Sequence, residues 1–330
     1  MPQDTNRTED AVLAVLGGIP VAEAARAAHT TPGRLSEAIK HYRAAGRASL
    51  DAQPSDWHQV NIRFADYPTA ESAFHAYLLP ALRSGPVGAW WFVRKHPHWR
   101  LRYHPGLDAT TEDATNHISA ALDSSASWGV TTNWHPAPYE PETTAFGGPT
   151  GMKLAHELFH ADSLGVLDYL HAASDSSERL PDAKLASLLA MTLMMRAAHL
   201  EYGEQGDVWA RVEERRPLPQ DVTPDQISTM VAPVRRLLLT DARPLLGSGA
   251  LAPVSPWIAG LERSGRNLAD AAENGQLSLG VRGILARHII FHWNRMGFTG
   301  RQQAVWSRSA RETILGSLGE GKIRAQNTLL

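Results

Sequence analysis

GAWWFVRKHPHWRLRYH, residues 88–104, holds two runs that alternate in side-chain character, Ala89–Lys95 and His98–His104, joined through Pro97. Alternation with period two predicts strands, because successive side chains on an extended backbone point to opposite faces. On the second run Trp99, Leu101 and Tyr103 share one face, while Arg100, Arg102 and His104 share the other. Upstream, WHQVNIRF (57–64) alternates through Val60, Ile62 and Phe64, and Trp128–His135 reads as a fourth strand. Thr69–Leu82 reads as a helix, with Thr69 as its cap and Glu71 near the positive end of its dipole.

Beyond Gly151 the pattern turns helical. Met152–His171, Asp182–Tyr202, Thr223–Leu238, Pro256–Glu273, Val281–Met296 and Gln302–Leu318 are predicted helices. The second of these is apolar nearly all round, so a central position is expected. At the other end, Asp10–Leu16, Val21–Ala28 and Gly33–Ala45 read as three short helices. The last is opened by Thr31-Pro32 and stopped by Gly46. This triplet resembles a helix-turn-helix unit, and Asp51–Asp56 reads as a linker. The expected class is α+β: a small β-sheet followed by a helix-rich half, with an N-terminal three-helix unit. The expected division is 1–52 and 53–330.

Composition narrows the function. The 330 residues are 43% hydrophobic, which supports a sizeable core, and contain no cysteine, which removes disulfides, thiolate nucleophiles and cysteine-bound zinc. MPQDTNRTED lacks the basic and apolar regions of a signal peptide, and no apolar run approaches a bilayer span. A cytoplasmic protein with no membrane partner is expected. The net charge of −2 argues against a general nucleic-acid binder, so nucleic acid is not an expected partner. Yet Ser72–Leu107 contains no acidic residue, and carries Arg83, Arg94, Lys95, Arg100 and Arg102. Such a segment suits an anionic ligand, or a basic face neutralised by carboxylates from elsewhere.

Four motifs could carry chemistry. The first is the Arg100/Arg102 face, since paired guanidinium groups recognise carboxylates in planar, bidentate fashion; its bland counterpart is a solvated, salt-bridged strand. The second is YEPETTAFGGPTGM (139–152), a glycine-rich loop leading into a helix, with Glu140 and Glu142 upstream. The third is HIIFHWNR (288–295), where His288, His292 and Arg295 fall on one helical face. A histidine beside a cation stays neutral, as a general base must, although buried structural histidines look the same in sequence. The fourth is His156-Glu157-Leu158-Phe159-His160, the HExxH pattern of zinc proteases, for which Glu178 could be a third ligand. The extended protease form is absent, with Ser163 and Val166 in place of its Gly and His.

WHQVNIRF, LLPAL, GAWWFVRKHPHWRLR, YEPETTAFGG, GMKLAHELFHADS and HIIFHWNR, in this order, resemble the C-terminal domain of lantibiotic dehydratases. That domain is also found alone in thiopeptide-type bacteriocin biosynthesis proteins, and the resemblance spans about Trp57 to Leu315. It implies a lyase that removes glutamate from glutamylated Ser or Thr of a leader-bearing precursor peptide, leaving dehydroalanine or dehydrobutyrine. The implied partner is a glutamyl-tRNA-dependent glutamylation enzyme; no metal or organic cofactor is implied. By the same resemblance Arg94, Arg100, Arg102, Glu142 and His292 match family positions, with His288 one turn away as the alternative histidine; Arg100, Arg102 and His292 are expected to be catalytic, and Arg94, Glu142, Arg295 and His288 to bind substrate. The HExxH pattern then falls within a family motif. One departure stands out: the family carries Arg-Tyr before the two glycines, and this chain has Ala145-Phe146. Arg94 or Arg295 would have to substitute, or the reaction differs. Pyridine synthases, which join two dehydroalanines by a formal [4+2] cyclisation and expel the leader, share the fold. A DNA-binding regulator built on the N-terminal unit and a non-catalytic leader-binding protein are the readings from other classes.

Overall fold

The computed structural model describes residues 2–51, 56–174, 180–249 and 251–316. Chain contacts divide it into two units, Met1–Asp56 and Trp57–Leu330. The first holds α1 (Pro2–Leu16), α2 (Val21–Ala27) and α3 (Pro32–Asp51), closed on a small core of Ala11, Val12, Ala24, Ala25, Leu35 and Ile39. Gly46 does not stop α3, which continues to Asp51; a single glycine costs a helix only about 1 kcal/mol.

The second unit opens with β1 (His58–Phe64) and a helix in three parts: α4 (Ala70–Ala73), a π-helical turn (Phe74–Leu78) and α5 (Leu79–Arg83). The wider turn immediately precedes Pro80, which has no N–H and whose ring would crowd the carbonyl four residues back. There follow β2 (Val87–Lys95), β3 (His98–Pro105), α6 (Thr111–Ser127) and β4 (Thr131–Ala137). The sheet order is β2-β3-β1-β4, every neighbour antiparallel. This is the split βαβ arrangement of ferredoxin-like folds. α6 was not expected from sequence, although Thr110 and Asp113 form a reciprocal cap and Ala114, Ile118 and Leu122 recur every four residues on its buried side.

The alternation in β3 sorts the two faces as expected. Trp99, Leu101 and Tyr103 are buried with Val60, Ile62, Trp90 and Phe92, and Phe74 packs its ring against Trp90, Phe92 and Trp99. Each such side chain contributes roughly 1.5–3 kcal/mol by leaving water. β2 forms one edge of the sheet and is flanked by helices of the second half; β4 forms the other, with Pro136 opposite Val60.

The helical half comprises α7 (Pro149–Ser174), α8 (Ala183–Ala197), α9 (Tyr202–Arg215), α10 (Pro224–Leu239), α11 (Arg243–Gly247), α12 (Ser255–Glu273), α13 (Val281–Arg295) and α14 (Gly300–Leu315). The helix expected over Asp182–Tyr202 ends at Ala197. His199 adopts a left-handed conformation there (φ 61°), and Glu201 with Glu204 caps a new helix, α9. α8 is central as expected, with every residue from Ala186 to Met195 buried. Among the described residues no helix is long and apolar enough to cross a membrane.

Candidate active site

The sheet's second face, away from α6, presents Arg102 opposite both Trp91 and Gln59, and Arg100 opposite Val93 and Asn61. The Arg102 guanidinium lies 4.1 Å above the Trp91 ring and 5.0 Å from that of Tyr139, and its Nε donates to Gln59 Oε1 at 2.8 Å. Stacking of this kind fixes a planar fork. Nη1 is buried and finds no acceptor among the described residues. Burial, with Arg100 and Arg295 adding to it and Tyr139 and Glu142 opposing, brings the Arg102 pKa down to about 10; the group remains charged at neutral pH.

In front of Arg102 opens a cleft of about 690 Å³ between the sheet and α13. Arg94, Lys95, Arg100, Arg102, Arg215, Arg216 and Arg287 line it, and Glu142 is its one carboxylate among the described residues. Glu142 lies 3.8 Å from Arg287. Carboxylates from elsewhere pair with Arg83 and Arg94 of the acid-free segment, but at Arg100 and Arg102 α9 and α13 add more cations. Arg215-Arg216, the adjacent basic pair at the end of α9, was the overlooked signal in the sequence. A larger cavity, about 860 Å³, lies behind α7 around Tyr169 and Trp257, and there Arg83 is already paired, 2.6 Å from Asp168.

The structure does not bring all the expected residues to this cleft. Arg94 belongs to the other face of β2. Its guanidinium sits 4.6 Å over Trp99 and pairs with Glu71 at 2.5 Å, so it reaches the rim already partnered. His288, His292 and Arg295 do share a face of α13, but that face turns into the helical half. The adjacent face, with Arg287, Phe291 and Asn294, lines the cleft instead. His292, Arg295 and Asp162 are fully buried as one network. His292 Nδ1 donates to Asp162 Oδ1 at 3.0 Å and Arg295 Nε to Asp162 Oδ2 at 2.7 Å, while Trp257 also donates to Asp162. His292 Nε2 lies 2.8 Å from Ser187 Oγ, which accepts from Trp293. Burial alone would raise the Asp162 carboxyl, but His292 and Arg295 outweigh it and hold it below the usual carboxylate range. Ser187, His292 and Asp162 thus have the connectivity of a hydrolase triad, yet all are at 0% exposure, so no substrate carbonyl reaches Ser187.

His288 is also fully buried. Its ring lies among Phe146 and Phe159, with neither nitrogen paired among the described residues, and burial first, then the charge of Arg295, pushes its pKa down to about 3. The two histidines of HELFH go to different partners. His156 Nε2 lies 2.7 Å from Tyr139 Oη, and His160 Nδ1 sits against the Trp90 backbone. Glu178 lies outside the described residues, and among those described no three His, Cys, Asp or Glu side chains converge as metal ligands. In the glycine-rich loop, Gly147 and Gly148 take left-handed conformations (φ 88° and 95°), and a Cβ on Gly151 would fall 1.9 Å from the Phe146 carbonyl oxygen. Ala145 is half-buried and Phe146 packs on Phe159 and Phe291.

A ferredoxin-like sheet whose open face, with a helical bundle, encloses a strongly cationic cleft defines an α+β protein. Residues 57–314 match the family model described as lantibiotic biosynthesis dehydratase C-term, and the chain belongs to that family. Three solved structures share the fold. The tRNA-dependent lantibiotic dehydratase MibB from Microbispora sp. 107891 is 17% identical, with a TM-score of 0.59 over 81% of this chain and 28% of that one. TsrL is 17% identical, with a TM-score of 0.53 over 81% and 98%. The pyridine synthase TbtD from thiomuracin biosynthesis is 14% identical, with a TM-score of 0.56 over 79% and 99%. The matching region is thus little more than a quarter of MibB but nearly all of TsrL and TbtD. No curated protein sequence matches.

Proposed function

We propose that this chain is a lyase that removes glutamate from glutamylated Ser or Thr of a leader-bearing precursor peptide, in the cytoplasm, after a glutamyl-tRNA-dependent partner enzyme has attached it. The observation that carries this reading is Arg102, clamped between two aromatic rings at the wall of a cationic cleft. A carboxylate is the chemical complement of that fork. The departing glutamate is a carboxylate whose conjugate acid has a pKa of about 4, so it needs little acid assistance. What the reaction needs is stabilisation of the negative charge that develops as the α-proton leaves; Arg102, held by Trp91, Tyr139 and Gln59, is preorganised for it, with Arg100 on the same strand face.

The test is mass spectrometry of a glutamylated precursor peptide after incubation with the protein. Conversion of the glutamyl adduct to the dehydrated peptide is expected, and the adduct should persist with Arg102→Ala. An unchanged adduct with the unaltered protein rejects the reading.

One observation favours a second reading, formal [4+2] cyclisation with leader expulsion: Ala145 places no guanidinium before the double glycine. Incubation with a peptide that already contains dehydroalanines separates the two, because cyclisation releases the leader as a fragment.

A further inference from the structure

The sheet wall of the cleft, through Arg100 and Arg102, meets the carboxylate that leaves. The helical wall carries further cations that the departure of one carboxylate does not use. Arg215 and Arg216 at the end of α9, with Arg287 and Asn294 on α13, line that side. Behind them stands Gln303 of α14, a buried amide. Its Oε1 accepts from Arg216 Nε at 2.9 Å, and its Nε2 donates to the Phe298 carbonyl at 2.9 Å and to Asn294 Oδ1 at 3.0 Å. A guanidinium only donates and a carbonyl only accepts, so these partners fix which end of the Gln303 amide is oxygen. Asn294 is fixed in turn: Gln303 occupies its oxygen, and its Nδ2 is left to donate. Arg216 is braced a second time, by Nη1 on the Arg215 carbonyl at 2.9 Å. The nearby carboxylate, Glu142, stands 3.8 Å from Arg287, beyond hydrogen-bond range.

A glutamyl group delivered from tRNA is joined through its α-carboxyl, so its side-chain carboxylate is free and charged before, during and after elimination. We propose that Arg216, Arg287 and Asn294 form a second anion subsite that holds this side-chain carboxylate, with Gln303 as its positioning residue. The inference rests on the elimination reading above. It assigns the two cationic walls to the two carboxylates of glutamate. One is created at Arg102 as the Cβ–O bond breaks; the other is held at the helices throughout. Guanidinium groups and an amide N–H fixed from behind suit a carboxylate and leave a neutral side chain with nothing to match them. The cleft therefore selects glutamyl esters over esters of neutral acyl groups.

The experiment uses the full chain in single turnover, protein in excess but below saturation, on two synthetic peptides read by mass spectrometry. One bears O-glutamylserine and the other O-glutaminylserine. The esters share the leaving carboxyl and nearly the same shape, and differ in side-chain charge. The unaltered protein should convert the glutamyl peptide about 10- to 100-fold faster, the range expected for hydrogen bonds to a charged group. Arg216→Gln combined with Arg287→Gln should bring that ratio close to one. Gln303→Met, which keeps both arginines but removes their brace, should lower it part of the way. Arg102→Ala should instead slow both esters and preserve the ratio. Equal rates for the two esters with the unaltered protein, or a ratio that survives in the double arginine variant, would overturn the subsite while the elimination reading stands. A ratio unmoved by Gln303→Met overturns the positioning role. An unaltered protein that converts neither ester overturns both readings.

Discussion

Arg102 lines the cleft, whereas His292, which the sequence places in the same site, is buried away from it. For Arg102 the expectation is kinetic. Losing a charge-assisted contact made in the transition state removes about 3 kcal/mol, or two orders of magnitude in rate. Arg102→Lys should recover little of it, since an ammonium neither stacks flat on Trp91 nor offers two parallel N–H groups; peptide dehydration rates for the two variants check this. For His292 the expectation is thermodynamic. His292→Ala leaves the buried Asp162 with one fewer partner, so thermal unfolding should shift by several degrees, corresponding to about 3 kcal/mol or more. His288 couples stability to pH. In the unfolded chain it titrates near its ordinary value of about 6.5, whereas in the fold it stays neutral until about 3. The unfolded state therefore binds the proton first. The stability present above about 6.5 is lost as pH falls toward 3, by up to about 1.4 kcal/mol per pH unit. His288→Phe, which fits among Phe146 and Phe159, should flatten that slope in melting curves taken between pH 4 and 7. The sequence showed correctly which residues share a face of this helix. Periodicity carries no information on which way the face turns; Asp162, a distant residue on α7, decides that.

Among the elements, α7 and α12 are held by a contact that only glycine permits. A Cβ at Gly165 would lie 2.0 Å from the Trp257 ring, whose indole donates to Asp162. Gly165→Ala should therefore push the two helices apart, destabilising the protein by about 1–3 kcal/mol, measurable in denaturant unfolding. The four strands and most of the helices were legible because each buries one side, leaving a period of 2 or 3.6 in the sequence. α6 was missed through its low hydrophobicity: serine and alanine dilute the Ala114-Ile118-Leu122 stripe, and the Thr110 cap was the clearer mark. α8 and α9 were fused into one, because the break at His199 is made by a left-handed non-glycine residue, which no local rule anticipates.

At the level of the molecule, each of the two units closes on its own apolar core. A chain beginning at Asp56 is expected to fold with the melting temperature of the full-length protein and to retain elimination activity. Loss of cooperative melting in that chain would make the three-helix unit part of the catalytic fold. The sequence divides the chain at 52/53 and changes texture at Trp57, where the second unit begins; the cationic cleft was legible only in half. One wall is a contiguous stretch of sequence; the other is assembled from α9 and α13, more than a hundred residues later. The sheet's free edge bears on behaviour in concentrated solution. A bare edge strand is a template on which a second copy can continue the ladder. On β4, Pro136 has no N–H to offer an incoming strand, and the register with β1 shifts between Arg63 and Phe64. Replacing Pro136 by valine would restore a donor to that rim, and the protein that results should form thioflavin-positive aggregates at concentrations where the natural chain stays dispersed.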